Sequence, residues 1–400
     1  MNTTAAGLDA YDFVAPAAIH FGDGRIVELG AVAAALGRRA WLVTGARRAE
    51  VGGGPAALAR ALAAAGADPV FRATSAGEPT VEQVAELLQT APRDHADVVV
   101  VAVGGGSTID LAKALAALAT NADPTADPQQ AVLDHLEGAG RSLPIRVRPL
   151  PVVAVPTTAG TGAEATRNAV ISCPKRRLKR SIRSPLMIPR AALVDPELTR
   201  SCPRETVAAS GLDCITQLVE SYVCRIRRPL PRALVRDAIP RAVRALPRLL
   251  AGADDSVARA AMGHAALISG MALTNAGLGM AHGVAAALGI ECGVSHGVAC
   301  GLLLPVAVRT NLDVARDDYA ALERAIAPAA PADSKAAAAA FLERIEALCD
   351  LARTPRRLAE VGLRHERIAW LAANSGGASM RGNPLELPPE RLLPILEEAF

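Results

Sequence analysis

The chain has 400 residues, of which 51% are hydrophobic and 21% are charged, and its formal net charge is +3. This length predicts two domains, and the hydrophobic content is sufficient to bury large cores. The small net charge argues against a polyanionic partner and an aromatic content of 2% argues against a base-stacking platform, so we expect no nucleic acid as a partner.

Apolar runs alternate with helical patterns through the first half of the chain. Buried strands are predicted at residues 41–44, 69–73, 97–103 and 151–155. Helices are predicted at residues 55–65 and 80–88, and again from residue 107 onward. The run DVVVVAV at 97–103 is the clearest strand, because β-branched residues dominate it. Strands separated by helices indicate a parallel sheet with right-handed crossovers.

The second half of the chain has a different pattern. Strand signals end near Asp195, and helical periods continue from Thr206 to the C-terminus. We therefore predict an α/β domain over residues 1–198, a helical domain over residues 199–400, and a cleft between them. Four prolines of the helical half are expected at turns or in first turns of helices: Pro229, Pro231, Pro240 and Pro247.

Three glycines and a serine, Gly104–Ser107, follow the strand at 97–103 and begin a helical pattern. Glycines let the backbone pass close to a ligand, and a helix N-terminus adds partial positive charge, so the segment favours a pyrophosphate site. A capping box formed by Ser107 and Asp110 is the structural alternative, although it does not explain the glycines. The GxGxxG fingerprint is absent, so an ordinary Rossmann site is not expected.

A second polar cluster, at residues 156–164, follows the strand at 151–155. Its hydroxyls and glycines are suited to contacts with a phosphate and a ribose. The alternative is an ordinary polar loop, and the cluster alone does not decide between the two.

The seven cysteines include no CxxC pair, which is typical of reduced thiols in a cytoplasmic protein. The segment at 1–13 has no basic start followed by an apolar run, so no secretory signal is expected. Gly, Pro or charged residues interrupt every apolar stretch before about 18 residues, so we expect no membrane partner.

Three segments carry a resemblance to a known family: GGGSTIDLAKA, VPTTAGTGAEATRNAVIS and AHGVAAALGIECGVSHGVACGLLLP. They resemble the best-known segments of the iron-containing (group III) alcohol dehydrogenases. Further matches extend the resemblance in the right order over nearly the whole chain: IHFGDGR, GEPT, ALVDPELT, GLDCITQLVESYV and MRGNPLEL.

The resemblance implies the dehydroquinate synthase-like architecture of this family, α/β plus all-α. An N-terminal parallel-sheet domain would bind NAD(P), and a C-terminal helical domain would bind a metal. Members of the family transfer hydride between NAD(P) and small alcohols, aldehydes or ketones. A small aldehyde or alcohol substrate and a homo-oligomer, expected to be a dimer, are also implied.

The cofactor residues follow from the matched positions. In the resemblance, Gly104, Gly105, Gly106, Ser107 and Asp110 hold the pyrophosphate region. The adenine and ribose side is assigned to Thr157, Thr158 and Thr161. Lys179 would reach the cofactor ribose, and Asn168 is a further candidate in the cofactor cleft. Most charges of the basic run 175–183 are equally well explained as a solvated hairpin.

The metal site implied by the resemblance contains one Asp and three His residues. Asp213, His282 and His296 match three of these positions, and Gln217 occupies the fourth. Asp213 and Gln217 are four residues apart, so both point to one face of a helix. A carboxylate and two imidazoles are suited to Fe²⁺, expected from the family, or to Zn²⁺. Such an ion would act as a Lewis acid on the substrate oxygen.

Gln217 leaves the occupancy of this site open. Its neutral amide oxygen is a weaker donor than an imidazole nitrogen. It could ligate the metal, leave a three-ligand site closed by water, or hydrogen-bond the substrate with no metal present. The structural alternative for Asp213, His282 and His296 is a set of satisfied buried polar groups.

No side chain is nominated as the proton donor. Some family members carry another His four residues after the one matching His282, and here that residue is Ala286. The cofactor ribose hydroxyl and water are the remaining route for protons. The other histidines are expected to be structural: His20, His95, His135, His264 and His365.

The segment after the strand at 41–44 predicts which nicotinamide cofactor is used. Many NAD-dependent members carry an Asp there, whereas this chain reads Gly45-Ala46-Arg47-Arg48. A carboxylate would bind the ribose 2′-hydroxyl, and arginine is suited to a 2′-phosphate instead. We therefore expect Gly45 and Arg47 to contact the cofactor and NADP to be preferred over NAD. The alternative is that both arginines are merely solvated.

Other functions remain alternatives at this point. A dehydroquinate synthase-like lyase uses NAD and a metal on the related scaffold. A maleylacetate reductase-like enzyme works without this metal site, and a non-catalytic relative would have lost activity with the change at Gln217. The GGGS segment and the three matching ligand positions favour the oxidoreductase, with a short aldehyde or ketone as substrate.

Overall fold

The computed structural model describes residues 10–46, 53–252 and 254–400. Its first half contains a six-stranded parallel sheet and a separate antiparallel hairpin. The strands in chain order are β1 Ala18–Phe21, β2 Arg39–Gly45, β3 Asp68–Ser75, β4 Val98–Gly104, β5 Val152–Pro156, β6 Asn168–Cys173, β7 Leu178–Arg183 and β8 Ala191–Val194. The sheet order is β1-β8-β5-β4-β2-β3, and β6 and β7 form the hairpin.

The central strand β4 is buried on both faces of the sheet. Val98 and Val100 enter one apolar core, and Val99 and Val101 enter the other. Because side chains alternate along a strand, a continuous run of valines supplies both cores at once. The four strands and the three helices predicted for this half are confirmed, the helices as α2 Gly54–Ala64, α3 Val81–Thr90 and α4 Gly106–Asn121. Two short helices were not predicted, α1 Leu29–Ala34 and α5 Pro128–Leu133.

Four strands were not predicted from the sequence. The strands β1 and β8 have four residues each and pair with one another, and a four-residue strand shows too little period to be recognised. The hairpin strand β6 alternates between buried and partly exposed residues, which is a readable signal. Its partner β7 is rich in basic residues and shows no such alternation.

The second half is helical, as predicted, and the two halves together have the expected α/β plus all-α architecture. Its helices are α6 Arg204–Val223, α7 Pro229–Leu250, α8 Ser256–Asn275, α9 Met280–Cys292, α10 His296–Asn311, α11 Arg316–Ile326, α12 Ser334–Ala352, α13 Ile368–Asn374, α14 Gly377–Arg381 and α15 Pro389–Glu398. Helix α6 lies at the centre and packs against α7, α8 and α10.

The prediction for the four prolines was half wrong. Pro229 and Pro231 lie in the first turn of α7, but Pro240 and Pro247 lie inside this helix. Each internal proline removes one backbone hydrogen bond. The helix persists because its apolar face, which includes Val235 and Ile239, is fully buried in the core of the domain.

Within the described ranges, no single helix has the length and apolar character needed to cross a membrane. The helices α8 and α9 meet these criteria only when taken together, and they are bent by 99° relative to one another.

Candidate functional site

A cleft of about 300 Å³ is lined by residues from both halves of the chain. It brings together most of the residues that the sequence singled out. From the first half these are Gly106, Ser107, Asp110, Thr161, Asn168 and Lys179, and from the second half Asp213, Gln217, His282 and His296.

The first wall of the cleft is the beginning of α4, directly after β4. A Cβ atom at Gly104 would lie 2.6 Å from Thr108 Cβ, and one at Gly106 would lie 2.6 Å from Thr161 Oγ1. Both contacts are closer than real Cβ atoms make, so a side chain at either position would force the neighbouring threonine to move. A tight turn that ends at a helix N-terminus is a ready site for a pyrophosphate.

The capping-box interpretation of Ser107 and Asp110 is wrong. The residue that caps α4 is Gly105, and no side chain caps this helix. Asp110 instead accepts a hydrogen bond from the Val170 amide at 3.1 Å and pairs with Lys113 at 3.2 Å. The carboxylate therefore joins α4 to the hairpin rather than closing the helix end.

Lys113 is a buried residue that the sequence analysis missed. Its Nζ donates to the Ala163 carbonyl oxygen at 2.9 Å and to Thr166 Oγ1 at 2.6 Å. Burial lowers the pKa of Lys113, although Asp110 opposes this shift, and burial raises the pKa of nearby Glu164 to about 7. A lysine among alanines and leucines of a buried helix is the signal that could have identified it.

The polar loop after β5 packs against both the first wall and the helical half. The Thr157 amide donates to the Gly104 carbonyl oxygen at 3.0 Å. Gly162 has a φ of 61°, and a Cβ there would lie 2.5 Å from the Ala266 carbonyl oxygen of α8. Thr161 lines the cleft, whereas Thr158 lies beside Gly105. The loop is thus fixed between the two halves of the molecule.

The hairpin forms another side of the cleft. Lys179 of β7 forms an ion pair with Glu78, and the Ser172 hydroxyl also donates to Glu78, at 3.2 Å. Burial acts to raise the pKa of Glu78, but Lys179 lowers it below its usual value. Asn168 lines the cleft with a buried side-chain oxygen that has no hydrogen-bond partner among the described residues.

The residues predicted to contact the adenosine end are only partly described. Gly45 is buried at the carboxyl end of β2, beside β4. Arg47 and Arg48 lie outside the described residues.

The second wall contains Asp213 of α6, His282 of α9 and His296 at the start of α10. His282 Nε2 lies 3.2 Å from Asp213 Oδ1, and His296 Nε2 lies 3.8 Å from the same oxygen. The two imidazole centroids are 5.4 Å apart. Helix α6 and the consecutive helices α9 and α10 therefore direct one carboxylate and two ring nitrogens to one point.

Glu220, also on α6, fixes the orientation of His282. Its Oε2 lies 2.6 Å from His282 Nδ1, and its Oε1 accepts the Ala281 amide at 2.6 Å. A carboxylate on the far nitrogen of an imidazole orients the ring for metal binding. Glu220 was not predicted from the sequence, although Asp213, Gln217 and Glu220 have the spacing of one helix face.

Cys300 is a third site residue that was not predicted from the sequence. Its Sγ lies 3.6 Å from His296 Nε2, one turn along α10. Ligand atoms of Asp213, His282, His296 and Cys300 all lie within 4.8 Å of one another. The spacing of His296 and Cys300 on one helix could have indicated this contact.

Gln217 lines the cleft beside this cluster, one turn after Asp213. Its Oε1 accepts a hydrogen bond from Ser269 Oγ of α8 at 2.7 Å. The amide is buried and held by a neighbouring helix.

The cluster changes the protonation of its members. Burial acts to raise the pKa of Asp213, but the hydrogen bond with His282 and the neighbouring histidines lower it. Burial lowers the pKa of His296 to about 4, so its imidazole is neutral at pH 7. Burial opposes the charged form of His282, yet Cys300, Asp213 and Glu220 raise its pKa well above the usual value.

This donor set fits a divalent transition metal. It combines a carboxylate, two imidazoles and a thiol, all converging in a buried position at the cleft wall. Nitrogen, oxygen and sulfur donors of this kind suit Zn²⁺ and Fe²⁺ and do not suit hard cations such as Mg²⁺.

The remaining histidines make other contacts. His135 lies against the carbonyl oxygens of Leu143 and Asn121, and His264 pairs with Asp237. The rings of His95 and His365 pack against Trp41 and Phe400, and His20 lies against Arg25.

Comparisons with known proteins cover nearly the whole chain. The model of iron-containing alcohol dehydrogenase matches residues 16–196, and the model of the C-terminal part of the Fe-containing alcohol dehydrogenase family matches residues 207–400. The chain is 34% identical over 324 residues to lactaldehyde reductase from Escherichia coli strain K12, covering 80% of this chain and 82% of the relative.

The chain is also similar to solved structures of alcohol dehydrogenases and aldehyde reductases. Alcohol dehydrogenase from Oenococcus oeni is 28% identical with a TM-score of 0.86, covering 98% of this chain and 100% of the other. Sulfoacetaldehyde reductase from Bifidobacterium kashiwanohense, in complex with NAD⁺, is 28% identical with a TM-score of 0.83, covering 98% and 99%.

Proposed function

This chain belongs to the iron-containing alcohol dehydrogenase family, and we propose that the cleft between its two halves is the active site. The protein is an NAD(P)-dependent oxidoreductase that transfers hydride between the cofactor and a small aldehyde, ketone or alcohol, with a divalent metal polarising the substrate oxygen. The comparisons favour this activity over the lyase, the metal-independent reductase and the non-catalytic relative.

One observation carries the assignment of the cleft. The N-terminus of α4 and the cluster of Asp213, His282 and His296 line the same cavity from opposite halves of the chain. A dinucleotide whose pyrophosphate lies at Gly106 and Ser107 would extend along the cavity towards the cluster. The reacting carbon of the substrate would then lie between cofactor and cluster, as hydride transfer requires.

The proposed cofactor residues divide between backbone and side chains. Gly104, Gly105, Gly106 and Ser107 would hold the pyrophosphate through the helix N-terminus. Thr161, Asn168 and Lys179 line the cleft and offer hydroxyl, amide and ammonium groups to the ribose. Asp110 holds the hairpin against α4, and Thr157 and Thr158 lie beside the glycines.

Asp213, His282 and His296 are the proposed core of the metal site, with Gln217 at the adjoining wall. A bound divalent metal would supply Lewis-acid polarisation of the substrate carbonyl. Asp213 contributes the negative charge, His296 is neutral and offers its ring nitrogen, and Glu220 holds the His282 ring in position. We assign no side chain as proton donor, because Ala286 lines the cleft where some relatives carry a histidine.

We propose a short aldehyde or ketone with a polar substituent as the substrate. Leu273, Leu278 and Ala286 narrow the cleft beside the cluster, and Ser379 adds a hydroxyl. The similarity to lactaldehyde reductase supports a short hydroxyaldehyde.

NADP preference, domain limits, compartment and assembly are further proposals. The lack of an acid directly after β2, together with Arg47, supports a preference for NADP over NAD.

The last sheet strand ends at Val194 and α6 begins at Arg204, which supports a domain boundary between residues 198 and 199. Seven free cysteines support the cytoplasm, and a homodimer stays a prediction.

The proposed function is tested by nicotinamide absorbance with metal-loaded protein and a panel of short aldehydes. We expect oxidation of NADPH with hydroxyaldehydes, and a kcat/KM at least about tenfold higher with NADPH than with NADH. Substituting Arg47→Ala should remove this preference and leave turnover with NADH in place. No turnover with any aldehyde or ketone would contradict the active-site assignment, and equal kcat/KM values would contradict the NADP assignment alone.

A further inference from the structure

We propose that Cys300 is the fourth protein ligand of the metal ion, replacing the histidine that is absent at position 217. The inference rests on the metal site of the proposed function and deepens it. The site would then be a mixed carboxylate, imidazole and thiolate centre, which differs from the set of one Asp and three His that the resemblance implies.

The distances between donor atoms support a common centre. A tetrahedral ion with bonds of about 2.0–2.1 Å to nitrogen and oxygen and about 2.3 Å to sulfur separates its donors by about 3.4 Å, or about 3.6 Å when one is sulfur. His282 Nε2 and His296 Nε2 lie 3.2 and 3.8 Å from Asp213 Oδ1, and Cys300 Sγ lies 3.6 Å from His296 Nε2. These three separations are close to those of donors around one ion, and all four donor atoms lie within 4.8 Å of one another.

Cys300 also lies where a ligand could reach the metal from the protein interior, on the side away from the cleft. The other three donors line the cleft, whereas Cys300 is fully buried behind them. It is one turn from His296 on α10, so one rigid helix presents both donors to the same point.

Gln217 has a different partner. Its amide oxygen accepts the hydrogen bond of Ser269 at 2.7 Å, which fixes the side chain against α8. A thiolate is also the stronger donor, because it carries a full negative charge and an amide carries none. Asp213 and Cys300 together would balance the charge of a divalent cation.

The charge and the softness of the donor atoms determine which metal ion the site would bind. On binding, the metal–sulfur bond forms, the S–H bond of Cys300 breaks, and its proton is released to solvent. Thiolate ligands favour Zn²⁺ or Fe²⁺ over Mg²⁺ and Ca²⁺. No change of oxidation state is involved.

X-ray absorption of the zinc-loaded full chain tests the ligand directly. The wild-type protein should show a sulfur neighbour at about 2.3 Å in addition to nitrogen and oxygen at about 2.0–2.1 Å. The sulfur neighbour should vanish in Cys300→Ser and persist in Gln217→Ala and in Cys214→Ser, a buried cysteine next to Asp213. A wild-type spectrum without sulfur, or a Cys300→Ser spectrum that keeps it, would overturn the proposal.

A second measurement keeps the test valid if Cys300→Ser does not fold. The cobalt-loaded wild-type protein should show a near-ultraviolet thiolate-to-cobalt absorption band, and its absence would contradict the proposal. Where the variant folds, its affinity for zinc should fall by more than about 100-fold, since displacing an outer-shell partner alone costs 10–100-fold. An affinity equal to that of the wild type would also contradict it.

The experiments can reject the Cys300 ligand and the proposed function independently of one another. Metal-dependent oxidation of NADPH without a sulfur neighbour would reject Cys300 and keep the proposed function. A sulfur neighbour in a protein that turns over no aldehyde or ketone would keep Cys300 and reject the active-site assignment.

Discussion

The two ends of the cleft are built in different ways. The cofactor end consists mainly of contiguous backbone, the turn from β4 into α4, where a side chain at Gly104 or Gly106 would crowd Thr108 or Thr161. The metal end consists of side chains from α6, α9 and α10, brought together from residues 213 to 300. The cofactor end therefore depends on the absence of side chains at its glycines, and the metal end depends on the donor atoms of its side chains.

This difference determines how each end responds to substitution. An added methyl group disturbs the cofactor end through crowding, because its neighbours are already in contact. The metal end is disturbed when a charge or a donor atom is removed. The first substitution below tests the stability of the support for the cofactor end, and the next two should each impair one end and spare the other.

The largest effect is expected from Lys113→Met, which removes the buried cation below the cofactor end. Asp110 would lose its partner, and the Ala163 carbonyl and the Thr166 hydroxyl would lose their donor. Breaking a buried pair in this way costs about 3–5 kcal/mol, measured by denaturant unfolding. The same change at exposed Lys175 should cost under about 0.5 kcal/mol. Equal losses would show that burial of Lys113 is not the cause.

The next effect is expected from Glu220→Gln at the metal end. Its carboxylate orients the His282 ring without belonging to the donor cluster. Zinc affinity, measured by competition with a chelator, should fall about 10–100-fold, while the Kd for NADPH stays within twofold. Exposed Glu343→Gln serves as the control. If Glu220→Gln weakened NADPH binding as much as zinc binding, the two ends of the cleft would not respond independently, and the prediction would be wrong.

The smallest effect is expected from Gly106→Ala at the cofactor end. The new methyl would lie 2.6 Å from Thr161 Oγ1, so this hydroxyl must move. The Kd for NADPH, measured by fluorescence, should rise about tenfold with unchanged zinc content. At Gly263 the nearest atom to an added Cβ is 3.7 Å away, so Gly263→Ala should bind cofactor normally. A lower zinc content in Gly106→Ala would show that the substitution also disturbs the metal site, and would contradict the prediction.

The same contrast explains what could be predicted from the sequence. The valines of β4 and the glycines after it are adjacent in the chain, so local pattern was sufficient to predict a strand, a turn and a helix. The tertiary partners of Asp110 were not predictable, and the capping-box interpretation failed because Val170 and Lys113 bind that carboxylate.

At the metal end, the resemblance suggested Asp213, Gln217, His282 and His296, and the packing of the helices adds Glu220 and Cys300. Glu220 and Cys300 carry no local signal beyond helical spacing, and their roles depend on how α6, α9 and α10 pack together. Pro240 and Pro247 lie inside α7 for a similar reason, because burial of its apolar face outweighs local propensity.

The central claim is that this cleft transfers hydride to a carbonyl with the help of a metal held by the Asp213 cluster. The most direct test compares the kcat/KM of NADPH oxidation with a hydroxyaldehyde for metal-depleted and zinc- or iron-restored protein. We predict a loss on the order of 100-fold on depletion, about 3 kcal/mol, full recovery on restoration, and an unchanged Kd for NADPH. Metal-depleted protein that is as active as restored protein would contradict the account.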